Sequence, residues 1–175
     1  MENLPQRKAT RLKSYDYSTP GAYFVTICTK NMRPFFGHVQ TGDALNASKM
    51  ILSALGEVAK TEISKIEGFY QNIKIDKCVV MPNHIHMIIV ITERINPFPT
   101  SKKYDIHNVV GKFKAAVTRI VGKAFMPSAK PKIWQTGFHD HIIRGPHDYR
   151  KIWEYIDENP VRWTCDKFYI EDQNP

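Results

Sequence analysis

The sequence predicts an α+β fold: a ferredoxin-like split βαβ with a four-stranded antiparallel sheet, two helices on one face and a further C-terminal helix. Three observations predict it. The apolar pattern switches period along the chain in the order β-α-β-β-α-β-α. The two middle strands are separated only by Pro82 and Asn83, a connection so short that antiparallel neighbours alone allow it. The chain has 175 residues, one ordinary domain's length.

Each element has its own signal. Residues 1–20 carry Arg7, Lys8, Arg11 and Lys13, lack apolar periodicity and end in a Pro-Gly turn, so they read as a basic N-terminal arm ahead of a single domain over 21–175. The run AYFVTICT at 22–29 is dense in β-branched and aromatic residues on both pleat faces, as a central strand requires. Asn46 or Ser48 is placed to cap a helix bearing Ile51, Leu52, Leu55, Val58, Ile63 and Ile66 at three-to-four spacing and ending near Gly68. Residues 72–81 and 84–92 form the hairpin. Asp105 caps a second helix whose stripe is Ile106, Val109, Val110, Phe113, Val117, Ile120 and Val121. Residues 133–143 supply the fourth strand, and Gly145-Pro146 opens a last helix that stops at Pro160.

Composition narrows the function classes. With 42% hydrophobic residues the chain can bury a core, which excludes intrinsic disorder for its body. Its 25 Lys+Arg against 17 Asp+Glu give a net charge of +8, a surface that attracts polyanions, nucleic acid first among them; solubility is the plainer use of the same charge. The longest apolar run, 87–91, falls far short of the roughly 18 to 20 residues that span a bilayer, and the first residues lack a signal peptide's apolar core. The expected location is the cytoplasm. Cys28, Cys78 and Cys165 are odd in number and widely spaced, neither a disulfide framework nor a CxxC knuckle, and read as buried thiols. Neither a GxxxxGK[ST] loop nor a GxGxxG is present.

The chemistry-bearing pattern lies in the third strand. His84 and His86 alternate with Ile85, Met87, Ile89 and Ile91, so the histidines share the face that the apolar side chains do not. At this separation two imidazoles can converge on one cation; a pair of hydrogen-bonded, half-buried histidines has the same spacing. On the last helix, Tyr155 and Asn159 stand one turn apart on one surface, beside a stripe of Tyr149, Ile152, Trp153 and Ile156. Docked on the open sheet face, that helix brings the Asn159 amide oxygen to a metal held by the histidines and hangs Tyr155 beside it. Alone, Tyr155 is equally an amphipathic residue at a helix interface. His139 and His141 repeat the shared-face pattern around Asp140 and rank below the first pair.

Five ordered blocks resemble the single-tyrosine HUH transposases, and within them the REP-associated tyrosine transposase-like branch. They are YSTPGAYFVTIC at 17–28, VMPNHIH at 80–86, FKAAVTR at 113–119, WQTGFHDHIIR at 134–144 and YIDENP at 155–160. The resemblance implies His84 and His86 as metal ligands, Asn159 as the third ligand, Tyr155 as nucleophile, and Mg²⁺ or Mn²⁺ as the cation. It implies cleavage and rejoining of single-stranded DNA near hairpins through a 5′-phosphotyrosine, without a nucleotide cofactor. A phenol with a pKa near 10 is a poor nucleophile at neutral pH, so such chemistry needs a cation to polarise the phosphate. Hairpin or single-stranded DNA is the implied partner, with a nucleoid-associated location; monomer and homodimer both occur among relatives.

Positive side chains fit a DNA partner in three places: Arg7, Lys8, Arg11 and Lys13 on the arm, Lys112, Lys114 and Arg119 on the second helix, Arg144 and Arg150 flanking the last one. The second-helix set is also simply a solvated helix face. Tyr15, Tyr17 and Phe138 are candidates for stacking exposed bases or for the core. Three rival functions are weaker. A histidine-triad nucleotide hydrolase needs a histidine where Ile88 stands, and an RNA-binding sheet needs an RNP pattern that is missing. A hairpin DNA-binding protein without cleavage activity is the alternative.

Overall fold

The computed structural model describes residues 15–42, 48–93, 104–125, 127–128 and 131–171; the arm residues Arg7, Lys8, Arg11 and Lys13 lie outside them. Four strands build the main sheet: β1 (Gly21–Cys28), β4 (Ile73–Val80), β5 (His84–Ile91) and β6 (His139–Ile142), in the order β4-β5-β1-β6 with every pair antiparallel. This is the split βαβ arrangement that the pattern predicts. Two further short strands, β2 (Gly37–Gln40) and β3 (Lys49–Leu52), pair with each other apart from it.

The pleat of β1 and β5 sorts the two faces. Tyr23, Val25, Ile27, Ile85, Met87, Ile89 and Ile91 point one way into a core closed by α1 (Ala54–Ser64), the short α2 (Ile66–Phe69) that follows it, and α3 (Ile106–Phe125). From α3 that core takes Val109, Val110, Phe113, Val117 and Val121, the stripe its sequence promised, while Ile120 is half-buried. Asp105 caps α3 as expected, its Oδ1 accepting the Asn108 N–H at 2.7 Å. The opposite face carries Thr26, His84 and His86, and α4 (Pro146–Glu158) crosses it. A strand with an apolar layer on one side and a helix on the other buries polar side chains at a cost unless their hydrogen bonds are satisfied.

Four expectations are corrected. The first helix starts at Ala54, not near Asn46 or Ser48: Ser53 is its cap, accepting the Gly56 N–H on Oγ at 3.1 Å. Ile51 and Leu52 belong to β3, because a short apolar run suits either period and pairing with β2 decides it. Ser53 also donates from Oγ to the Phe35 carbonyl at 2.6 Å, so one residue ties this hairpin to the helix. The fourth strand is shorter than 133–143: a bridge joins Thr29 to Trp134, then Gly137 turns at φ +75° before pairing resumes at His139. Of the three cysteines only Cys28 is buried; Cys78 lies on the edge strand β4 and Cys165 follows α4, both exposed. Tyr17 is in the core, Tyr15 shares a 3.1 Å hydrogen bond with Tyr23, and Phe138 packs on His107, so these rings are engaged within the protein. Among the described residues no helix is long and apolar enough to cross a membrane.

Candidate active site

His84 and His86 are both fully buried, their ring centroids 4.4 Å apart. Each ring is held through Nδ1: His84 by Asn83 Oδ1 at 2.9 Å, His86 by Thr26 Oγ1 at 2.9 Å across the β1–β5 pairing. With Nδ1 engaged behind, both Nε2 atoms face the space under α4. Burial lowers the His84 pKa to about 4, against a partly offsetting attraction from Asp166. Burial, then the His84 ring and Lys167, also holds His86 well below the ordinary value. Both rings are therefore neutral at physiological pH, the form that binds metals.

The last helix is docked from both ends. Gly145 precedes it at φ +88° and Pro146 fills its first turn, where a missing N–H costs nothing. Tyr149 donates to Asp76 Oδ2 at 2.5 Å, Lys77 pairs with Asp157 and covers the Trp153 ring at 3.7 Å, and Ile156 is buried beneath. This placement puts the Tyr155 hydroxyl 3.2 Å from His86 Nε2 and buries Asn159 at the same spot. The helix thus brings together the four residues that the sequence singled out.

Sequence reasoning missed Asp166. After α4 the chain makes a 3₁₀ turn at Trp163–Cys165 and folds back under the helix. Asp166 Oδ2 accepts from the Tyr155 hydroxyl at 2.8 Å and from Asn159 Nδ2 at 2.6 Å. Phe168 then lies over the His84 ring, centroids 4.6 Å apart. Burial first, and the Asp166 carboxylate second, push the Tyr155 pKa well above 10, so the phenol keeps its proton at rest. No spacing signal marks Asp166; its only local hint is an acid set among Trp163 and Phe168 in a tail with no helical period.

The donor set fits a divalent cation. His84 Nε2 and Asn159 Oδ1 are buried and have no hydrogen-bond partner, a costly state unless something else uses their lone pairs. Ligand atoms of His84, His86 and Asp166 lie within 4.8 Å of one another. Imidazole nitrogen with amide and carboxylate oxygen is a mixed N/O set able to hold a divalent metal ion. A cavity of about 430 Å³, lined by Tyr155, Asn159, Asp166, Lys151 and Arg162, opens beside it.

Other sequence candidates fall elsewhere. His141 Nε2 meets Asp148 Oδ2 at 2.8 Å and His139 is exposed on β6, so that pair stands apart from the buried site. Arg144 and Arg150 are exposed at the start of α4. Lys112 and Arg119 are exposed on α3, across the sheet from the histidines. Lys114 is engaged within the protein, its Nζ donating to the Gln135 and Gly137 carbonyls at 2.7 and 2.8 Å.

An uncharacterized protein of Haemophilus influenzae (strain ATCC 51907 / DSM 11121 / KW20 / Rd) is 35% identical over 181 residues, 96% of each chain. The solved structure of the REP-associated tyrosine transposase bound to a REP hairpin superposes with a TM-score of 0.62 at 24% identity, covering 90% of this chain and 76% of that one, a likeness of fold. Residues 23–159, from β1 to Asn159, match the family described as "Transposase IS200 like". The chain belongs to the IS200-like transposase family.

Proposed function

We propose that this chain is a metal-dependent transposase and nickase of single-stranded DNA, which cuts and rejoins strands near hairpins through a 5′-phosphotyrosine at Tyr155. The observation that carries the reading is the Tyr155 hydroxyl poised 3.2 Å from His86 Nε2, next to the unpartnered His84 Nε2 and Asn159 Oδ1.

His84, His86 and Asn159 would hold Mg²⁺ or Mn²⁺, with Asp166 within reach; the cation would polarise the scissile phosphate and offset its charge. Tyr155 Oη attacks phosphorus and the P–O3′ bond breaks, leaving a 3′-hydroxyl on one strand and the 5′-phosphate on the tyrosine. The phenol proton passes to Asp166 Oδ2, already 2.8 Å away, and the departing O3′ takes a proton from solvent; on rejoining, the attacking 3′-hydroxyl releases its proton to solvent and Asp166 returns its own to the tyrosine oxygen. The bond energy is conserved in the phosphotyrosine, so rejoining needs no nucleotide.

Hairpin DNA is the proposed partner; the structural relative in complex with a REP hairpin supports it. Arg144, just ahead of α4, and Arg150, in its first half, are assigned to phosphate contacts, as are the arm residues Arg7, Lys8, Arg11 and Lys13 and the α3 residues Lys112 and Arg119. The test is incubation of end-labelled hairpin oligonucleotides with protein and Mn²⁺. Cut strand and denaturation-resistant protein–DNA complex, both abolished by chelator, support the proposal; tight hairpin binding with intact DNA would reduce the protein to a binder.

A further inference from the structure

We propose that Asn83 is a positioning residue that presents the His84 Nε2 lone pair to the metal, its own polarity set by the backbone carbonyl of Phe168. The inference rests on the metal-site reading above.

A primary amide has two unlike ends, and here each has a partner of fixed kind. Asn83 is 2% exposed, so water does not blur the assignment. Its side-chain nitrogen lies 2.8 Å from the Phe168 carbonyl, which can only accept; that end is therefore the NH₂. The other end, Oδ1, sits 2.9 Å from His84 Nδ1 and can itself only accept, so Nδ1 carries the hydrogen. A neutral imidazole has a single N–H. Its Nε2 is then a bare lone pair, aimed at the space it shares with His86 and Asn159. The residue cannot swing away, because its backbone carbonyl accepts from Thr29 N–H at 2.8 Å and Thr29 Oγ1 at 3.0 Å. Residue 168 thereby dictates, through one amide, which nitrogen of residue 84 faces the cation.

His86 is held differently. Its Nδ1 partner is the Thr26 hydroxyl, which donates or accepts equally well. The Tyr155 hydroxyl spends its hydrogen on Asp166, so toward His86 Nε2 it acts as acceptor. With these partners His86 is the Nε2–H tautomer, and it must change tautomer to ligate, a change that rotation of the Thr26 hydroxyl accommodates. One histidine is preset and the other convertible.

Nitrogen-15 spectra of the imidazoles in the full chain test this directly, since protonated and bare ring nitrogens resonate far apart. Without metal, His84 is expected as Nδ1–H and His86 as Nε2–H; on adding Zn²⁺ as a diamagnetic probe, His86 converts and His84 does not. Asn83→Ala should give mixed tautomers at His84 and weaken Co²⁺ binding about 10–100-fold. Asn83→Asp keeps an acceptor for Nδ1 while setting a second oxygen against the Phe168 carbonyl, so His84 should stay Nδ1–H, and that tautomer decides the matter where the alanine variant fails to fold. His84 found as Nε2–H in the metal-free protein, or left unaltered in tautomer and affinity by Asn83→Ala, overturns the inference. Failure of the wild-type chain to bind any metal, with His84 as Nδ1–H, would instead count against the metal-site reading.

Discussion

Tyr155 and Asp166 meet through a 2.8 Å hydrogen bond between the phenol and Oδ2, although they stand eleven positions apart with a 3₁₀ turn between them. The contact joins the helix that carries Tyr155, the proposed nucleophile, to the tail that closes the site. It gives the phenol proton a defined acceptor, and it brings a carboxylate within ligand distance of two neutral imidazoles.

Asp166→Asn keeps the shape and removes the proton acceptor. Strand cleavage is expected to fall about 10²–10⁴-fold, the usual weight of a general base, with hairpin affinity unchanged. Single-turnover cleavage alongside gel-shift titration separates the two quantities. Equal loss of both would make Asp166 a structural residue only.

Metal should stabilise the folded chain. Mn²⁺ at a hundred times its Kd adds about 2.7 kcal/mol, because the donors are brought together only in the native state. Thermal unfolding with and without Mn²⁺ checks this, with EDTA reversing the shift and His84→Ala or His86→Ala showing none.

The basic residues divide by what they touch. Arg144→Ala and Arg150→Ala should weaken hairpin binding evenly across sequences and each lower the slope of log affinity against log salt by about 1. Lys114→Ala should act on stability instead, since its ammonium holds two loop carbonyls ahead of β6. Salt titrations and urea unfolding of the three variants distinguish the roles.

Two glycines make opposite predictions. A Cβ on Gly56 would lie 2.2 Å from the Phe36 carbonyl, so Gly56→Ala forces the β2–β3 hairpin off α1 and destabilises the fold. Gly68, in the short helix Ile66–Phe69, has open space around its Cβ position, and Gly68→Ala should stabilise by about 0.5–1 kcal/mol. Urea midpoints of both variants test the packing of this corner.

How far the sequence reaches depends on whether a residue's partner is set by period. The strand alternation at 84–91 assigns both histidines to one face because a pleat leaves no other choice, and the i,i+4 relation of Tyr155 and Asn159 follows from helix geometry. Residues 49–52 mislead because Met50, Ile51 and Leu52 satisfy either period until a partner strand is present. Asp166, Thr26 and Asn83 act through contacts made by a folded-back tail, a cross-strand pair and a turn, and no local pattern encodes such meetings.

The central claim is that Tyr155 becomes covalently joined to the 5′ side of a cut DNA strand. Trapping the reaction of a hairpin oligonucleotide with Mn²⁺, digesting the complex and sequencing the modified peptide by mass spectrometry tests it most directly. A single 5′-phosphonucleotide on Tyr155, and no adduct at all in Tyr155→Phe, is the expected result. An adduct on another residue such as Tyr149, or undiminished adduct in Tyr155→Phe, would contradict it.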